Sequence, residues 1–187
     1  IILLIVQKYG GSSVATIELI LNVAKRVKKQ VELGNKLVVV VSAQGKTTDS
    51  LIKKSYEYVK TPNKKDLDLL LSTGEIQTVA ILSMMLNDKG FKSVGLTGTM
   101  AGIISDSTYG NASIKTIHKE NIIKHLDEDK IVVVAGFQAV DKLGNITTLG
   151  RGGSDLSAVA IACALKASKC EIYSDIDGIF SADPRVI

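Results

Sequence analysis

Short apolar, β-branched runs alternate with amphipathic stretches along the 187-residue chain. Residues 3–7, 37–42, 92–96, 131–135 and 171–174 are rich in Val, Ile or Leu, as strands buried on both faces should be. After the first, Ile20, Val23, Ala24, Val27 and Val31 recur at helical spacing, Lys25, Lys28 and Lys29 fall largely opposite, and Gly34-Asn35 supplies a left-handed stop. A leucine-rich helical run from Asp66 is interrupted by Ser72-Thr73-Gly74 and resumes over 75–86, which predicts a helix break. Ser113 caps a predicted helix to about residue 126, Asp155 opens another to residue 167, and Gly144-Asn145 predicts a hairpin turn. The alternation predicts an α/β fold, a three-layer α/β/α sandwich around a mainly parallel central sheet.

Composition narrows the function classes. The longest purely apolar run, residues 1–6, falls far short of the ~20 residues a membrane-spanning helix needs. It lacks a basic flank and a cleavage site and leads directly into Gln-Lys-Tyr-Gly-Gly, so it reads as a buried strand in a cytoplasmic protein. The formal charge of +4 is spread over basic pairs on separate helices, and with no Trp there are few stacking platforms, so neither nucleic acid nor membrane is an expected partner. Cys163 and Cys170 lack metal-motif spacing and read as reduced, buried side chains. His118 and His125, seven apart on one predicted helix face, read as solvated surface, and no metal site is expected. With no repeat or linker, residues 1–187 read as one domain, and Asp183-Pro184-Arg185 near the end leaves a sheet edge uncovered, as in a truncated chain.

Five polar strings carry candidate chemistry. Lys8-Tyr9-Gly10-Gly11-Ser12-Ser13 joins strand to helix, where glycine N–H groups, a helix N-terminus and an ammonium suit a phosphate; a plain turn is the alternative. Ser42-Ala43-Gln44-Gly45-Lys46-Thr47-Thr48-Asp49 also follows a strand, at the edge where open α/β sheets bind ligands, or else is a simple helix cap. Glu75, at the expected helix break, suits a substrate ammonium or merely a helix dipole. Thr147-Thr148-Leu149-Gly150-Arg151-Gly152-Gly153-Ser154-Asp155 is the sharpest, because Arg grips a carboxylate bidentately, glycines bare their N–H groups, and Asp orients a lysine or a metal-bound phosphate. Ser174-Asp175-Ile176-Asp177-Gly178, with Phe180 and Arg185 beyond, suits a nucleotide.

In order along the chain, Val6 to Val14, Val41-Ser42-Ala43, Ser72-Thr73-Gly74-Glu75, Gly136-Phe137-Gln138, Ile146 to Asp155 and Cys170 to Arg185 resemble the catalytic domain of aspartate kinases, within the amino acid kinase fold. Lysine followed by glycines is shared across that fold; Leu-Gly-Arg-Gly-Gly-Ser-Asp is specific to aspartate kinases. The resemblance implies that Lys8, with Gly10, Gly11 and Ser12, holds the transferring phosphoryl group, and that Asp155 organises the charges around it. It implies that Glu75 and Arg151 fix aspartate, that Ser42, Thr47, Phe137, Gly152, Gly153 and Ser154 line its pocket, and that Ser174, Asp175, Phe180 and Arg185 belong to the nucleotide site. The implied substrates are L-aspartate and ATP with Mg²⁺, and the implied product is 4-phospho-L-aspartate, the entry to lysine, threonine and methionine synthesis.

Departures from the family are mild: Tyr9 for Phe, Ser12 for Thr, Gln44 for Met, Ala139 for Gly, Phe180 for Tyr. The family's chain continues beyond Ile187 with more of the nucleotide site and regulatory ACT domains, and the full-length protein is expected to be a homo-oligomer. The alternatives are a sister kinase of glutamate, N-acetylglutamate or a nucleoside monophosphate, and a non-catalytic binding module. A dehydrogenase fits poorly, since the first loop lacks G-x-G-x-x-G spacing.

Overall fold

The structure, a computed structural model, describes residues 2–174 and 179–182. In chain order its elements are β1 (Leu4–Tyr9), a 3₁₀ turn (Gly11–Val14), α1 (Ile17–Glu32), β2 (Lys36–Val41), α2 (Thr47–Tyr58), α3 (Lys64–Asp88), β3 (Ser93–Leu96), β4 (Ile103–Ser105) and β5 (Ile114–Ile117). There follow α4 (Glu120–Asp127), β6 (Ile131–Ala135), β7 (Gln138–Val140), β8 (Ile146–Thr148), α5 (Gly153–Leu165), β9 (Lys169–Tyr173) and β10 (Ile179–Ala182).

The central sheet has the order β10-β9-β1-β2-β6-β3. Its pairs are parallel except β10 on β9. Valines make this possible: Val38, Val40, Val132 and Val134 face one side and Val39, Val41 and Val133 the other, all fully buried. On the first side they meet Ile122 and Leu126 of α4 and Ala158, Ile161 and Ala162 of α5. On the second they meet Ile20, Val23 and Val27 of α1 and Val79, Leu82 and Leu86 of α3. Helices on both faces of a mainly parallel sheet give the expected sandwich, and each valine so buried contributes about 1.5–3 kcal/mol.

The expected break in α3 is absent: the helix runs unbroken for 25 residues. Ser72 and Thr73 donate their hydroxyls back to the carbonyls of Leu69 and Leu70, 2.8 and 2.7 Å away, so both side chains are satisfied within the continuous helix. Gly74 serves a close approach, since a Cβ there would lie 2.9 Å from Ala43 Cβ in the segment after β2. Once continuous, α3 is long and apolar enough to cross a membrane by length and composition, yet half of its most apolar stretch is buried, as in a core helix.

The helix expected from Ser113 is also corrected. Residues 114–117 pair antiparallel with β4, and the helix begins only at Glu120. The β-branched Ile114, Thr116 and Ile117 favour the strand, and the N–H of His118 donates to Gly102 O at 2.8 Å. His118 therefore precedes α4 rather than sharing a helix face with His125. These strands form a second sheet, β5-β4-β7-β8. It contains the hairpin expected at Gly144-Asn145, where the Asp141 carboxylate accepts the N–H groups of Leu143 and Asn145. Cys170 is buried as expected, whereas Cys163 is exposed on α5. That helix opens at Gly153, ahead of Asp155.

Candidate functional site

The loops leaving β1 and β2, the turn after β6 and the loop between β8 and α5 converge at one edge of the central sheet. They enclose a cavity of about 340 Å³ whose walls include Lys8, Gly11, Ser42, Glu75, Phe137, Arg151, Gly152, Gly153, Ser154 and Asp155. A second, larger cavity of about 670 Å³ adjoins it, sharing Lys8, Gly11 and Gly45 and adding Gly10, Ser12 and Ser174. Lys8 thus stands on the wall between the two cavities.

Lys8 is the penultimate residue of β1 and is only 8% exposed. Its Nζ lies 2.7 Å from Asp155 Oδ1, in the first turn of α5. Gly45 N–H donates to Gly11 O at 2.9 Å, locking the first loop to the second. Ser42 and Ser154 hydroxyls meet at 3.0 Å, tying the second loop to α5. The loops expected from sequence to share a crevice are therefore bonded to one another directly.

Arg151 is exposed on the cavity wall, between Gly150 and Gly152, both at φ +75°. Those left-handed positions lift the arginine out of the backbone path and let α5 start immediately behind it. Phe137 also adopts a positive φ, +68°, at real steric cost for an aromatic residue. Ser157 Oγ accepts its N–H at 3.1 Å, and its carbonyl accepts Leu149 N–H at 2.9 Å. The strained residue is pinned from both sides, which sets its ring on the cavity wall.

Glu75 is the electrostatic anomaly. It is 2% exposed; Oε1 accepts Ala43 N–H at 3.2 Å, while the buried Oε2 has no hydrogen-bond partner among the described residues. Burial raises its pKa from 4.5 to about 7, against the opposing pull of backbone hydrogen bonds. A buried carboxyl with one unsatisfied oxygen on a cavity wall is suited to an incoming cation.

Most residues expected from sequence meet here, with exceptions. Thr47 is off both cavity walls: its hydroxyl donates to Gln44 O at 2.6 Å, and its methyl is directed at Gly74. Thr48 lines the cavity instead, a distinction of helical phase that adjacent threonines conceal in a sequence. Ser174 is exposed on the second cavity. Asp175 and Arg185 lie outside the described residues, and Phe180 is placed in β10 opposite Ile172. Tyr9, the departure from Phe, stacks on Tyr173 with ring centroids 4.7 Å apart. Its hydroxyl is satisfied by Gln7 Oε1 at 3.1 Å, so the extra oxygen is accommodated. Gly10 N–H donates to Tyr173 O, joining the loop after β1 to the strand that leads into Ser174.

The sequence description of the amino acid kinase family matches residues 4–187. The aspartokinase of Bacillus sp. (strain MGA3) is 54% identical over 98% of this chain, which covers 45% of that relative. The aspartokinase of Helicobacter pylori (strain ATCC 700392 / 26695) is 50% identical over the same shares. The chain thus spans a little under half the length of these relatives. Among solved structures, aspartate kinase from Synechocystis superposes with a TM-score of 0.82 at 47% identity, covering 98% of this chain and 30% of that one. E. coli aspartokinase III in complex with aspartate and ADP superposes at 0.83 with 23% identity, over 98% of this chain and 52% of that one, a likeness of fold.

Proposed function

The chain belongs to the amino acid kinase family, and from that premise we propose that it carries the acceptor and phosphoryl-transfer site of an aspartate kinase. The reaction moves the γ-phosphoryl group of ATP, supplied with Mg²⁺, to the β-carboxylate of L-aspartate, giving 4-phospho-L-aspartate and ADP. The observation that carries this reading is the position of Lys8, paired with Asp155 and shared by two adjoining cavities, one of which also holds Arg151 and Glu75.

Arg151 offers a planar fork to a carboxylate and Glu75 a buried anion to the ammonium, a complementary pair for a free amino acid. The β-carboxylate of aspartate, with a pKa of about 4, is already ionised at neutral pH and needs no general base. Its oxygen forms a bond to the γ-phosphorus as the bond from phosphorus to the β,γ-bridging oxygen breaks, and that electron pair leaves with ADP. Negative charge spreads over the equatorial oxygens, where the Lys8 ammonium and the Gly10 and Gly11 loop stabilise it. Asp155 holds the ammonium in place. Mg²⁺ enters as part of the nucleotide substrate and neutralises its phosphates. The reading carries with it a cytoplasmic homo-oligomer acting at the first step toward lysine, threonine and methionine.

The test uses the full-length gene product with ATP and Mg²⁺, following ADP release and trapping the acyl phosphate as its hydroxamate. Aspartate is expected to drive both signals; glutamate, N-acetylglutamate and nucleoside monophosphates are expected to drive neither. ADP release indifferent to aspartate would overturn the proposal.

A further inference from the structure

Asp68 is a buried carboxylate that lines neither cavity. It lies in the second turn of α3 and is 1% exposed. Its Oδ2 accepts the N–H groups of Gly110 and Thr148, each at 2.9 Å, and its Oδ1 accepts the Thr148 hydroxyl at 2.8 Å. Two residues past Thr148 lies Gly150, and a Cβ there would sit 2.5 Å from Asn111 Oδ1. Of the two segments gripped by Asp68, the one at 110–111 therefore abuts Gly150, which lies in the other and directly precedes Arg151.

The same helix face reaches the rest of the site. Asp68, Ser72 and Glu75 follow one another at intervals of four and three residues, so they stack along one side of α3. The Ser72 carbonyl accepts Gln138 Nε2 at 2.9 Å, next to Phe137, and Glu75 accepts Ala43 N–H. We propose that Asp68 is a positioning residue, which sets the height of the 149–152 loop against α3 so that Arg151 and Glu75 stand at a fixed separation across the acceptor cavity. A charged acceptor suits this task because its hydrogen bonds are roughly twice as strong as neutral ones, and two backbone N–H groups would otherwise be buried unpaired. The inference rests on Arg151 and Glu75 being the groups that hold the acceptor.

The test compares Asp68→Ala and Asp68→Asn in the full-length protein. An amide keeps the shape, accepting both N–H groups and donating to the Thr148 oxygen. Asp68→Ala is expected to raise the KM for aspartate about tenfold while leaving the KM for ATP within about twofold, and Asp68→Asn to recover most of the loss. Hydrogen exchange of the 147–153 segment is expected to quicken in the alanine variant, with the 10–13 loop unchanged. If Asp68→Ala does not fold, Thr148→Val removes the hydroxyl bond alone and is expected to raise the aspartate KM about threefold. An unchanged aspartate KM, or both KM values rising together, overturns the proposal. Should the parent protein ignore aspartate, the reaction reading fails, and the exchange comparison still decides whether Asp68 sets the loop: unaltered exchange at 147–153 overturns that by itself.

Discussion

The Lys8 ammonium lies 2.7 Å from the Asp155 carboxylate, joining the end of β1 to the start of α5 across 147 residues of chain. The lysine side chain is 11% exposed and the aspartate 49%, so the cation is held in a dry setting while its partner faces the cavity. In such a setting a fixed positive charge is worth far more to a developing oxyanion than it would be in water. Lys8→Ala is expected to lower kcat by about a hundredfold or more, with the aspartate KM little changed. Steady-state kinetics decide it, and near-parental turnover would remove Lys8 from the mechanism.

Glu75 gives two pH dependences. Its carboxyl must be ionised to meet an ammonium, so kcat/KM for aspartate is expected to climb through pH 7 and to fall about tenfold per unit below it. Glu75→Gln is expected to lower the plateau and erase that limb. Stability runs the other way. The folded state holds this proton more tightly than the unfolded chain, so the contribution is full below about pH 4.5 and lost as pH rises through 7, by about 3 kcal/mol. Denaturant titrations should show Glu75→Gln more stable than the parent at pH 8, with the advantage gone at pH 4.5.

Arg151 is expected to act through fork geometry as well as charge. Arg151→Lys keeps the cation but loses bidentate contact, and should raise the KM for aspartate about tenfold without altering that for ATP. Equal effects on both substrates would place the arginine elsewhere in the reaction.

Gly74 separates helix propensity from packing. Alanine would stabilise an isolated helix by about 0.5–1 kcal/mol. Here its Cβ would press on Ala43 at 2.9 Å, and overpacking costs about 1–3 kcal/mol. The net expectation for Gly74→Ala is a loss of about 1 kcal/mol, a fall in Tm of about 2–4 °C. A rise in Tm would show that the helix and the Ala43 segment separate freely.

Strands β2 and β6 were the most readable because a strand buried on both faces is apolar along nearly its whole length, and the runs at 37–42 and 131–135 have no competing reading. Of the second sheet, only the turn at Gly144-Asn145 was readable. Its strands β4 and β7 are three residues long, too short for a period to declare itself, and β5 was hidden in an expected helix. Ser72-Thr73-Gly74 looks like a break by local preference, and only contact with Ala43 explains why a glycine belongs inside a helix. Asp68 carried no signal, since its partners at Gly110 and Thr148 are remote in the chain.

What the chain determined by itself was its apolar strands and the chemistry of its loops: a lysine before glycines, an arginine between glycines, a lone glutamate. These follow from residue type and near neighbours, which a sequence displays. Tertiary structure decided which loops share a cavity, that Thr48 lines it and Thr47 does not, and that the Glu75 proton is held to about pH 7. Desolvation and long-range hydrogen bonds depend on what surrounds a group in space, and distant segments supply those surroundings only once the chain has folded.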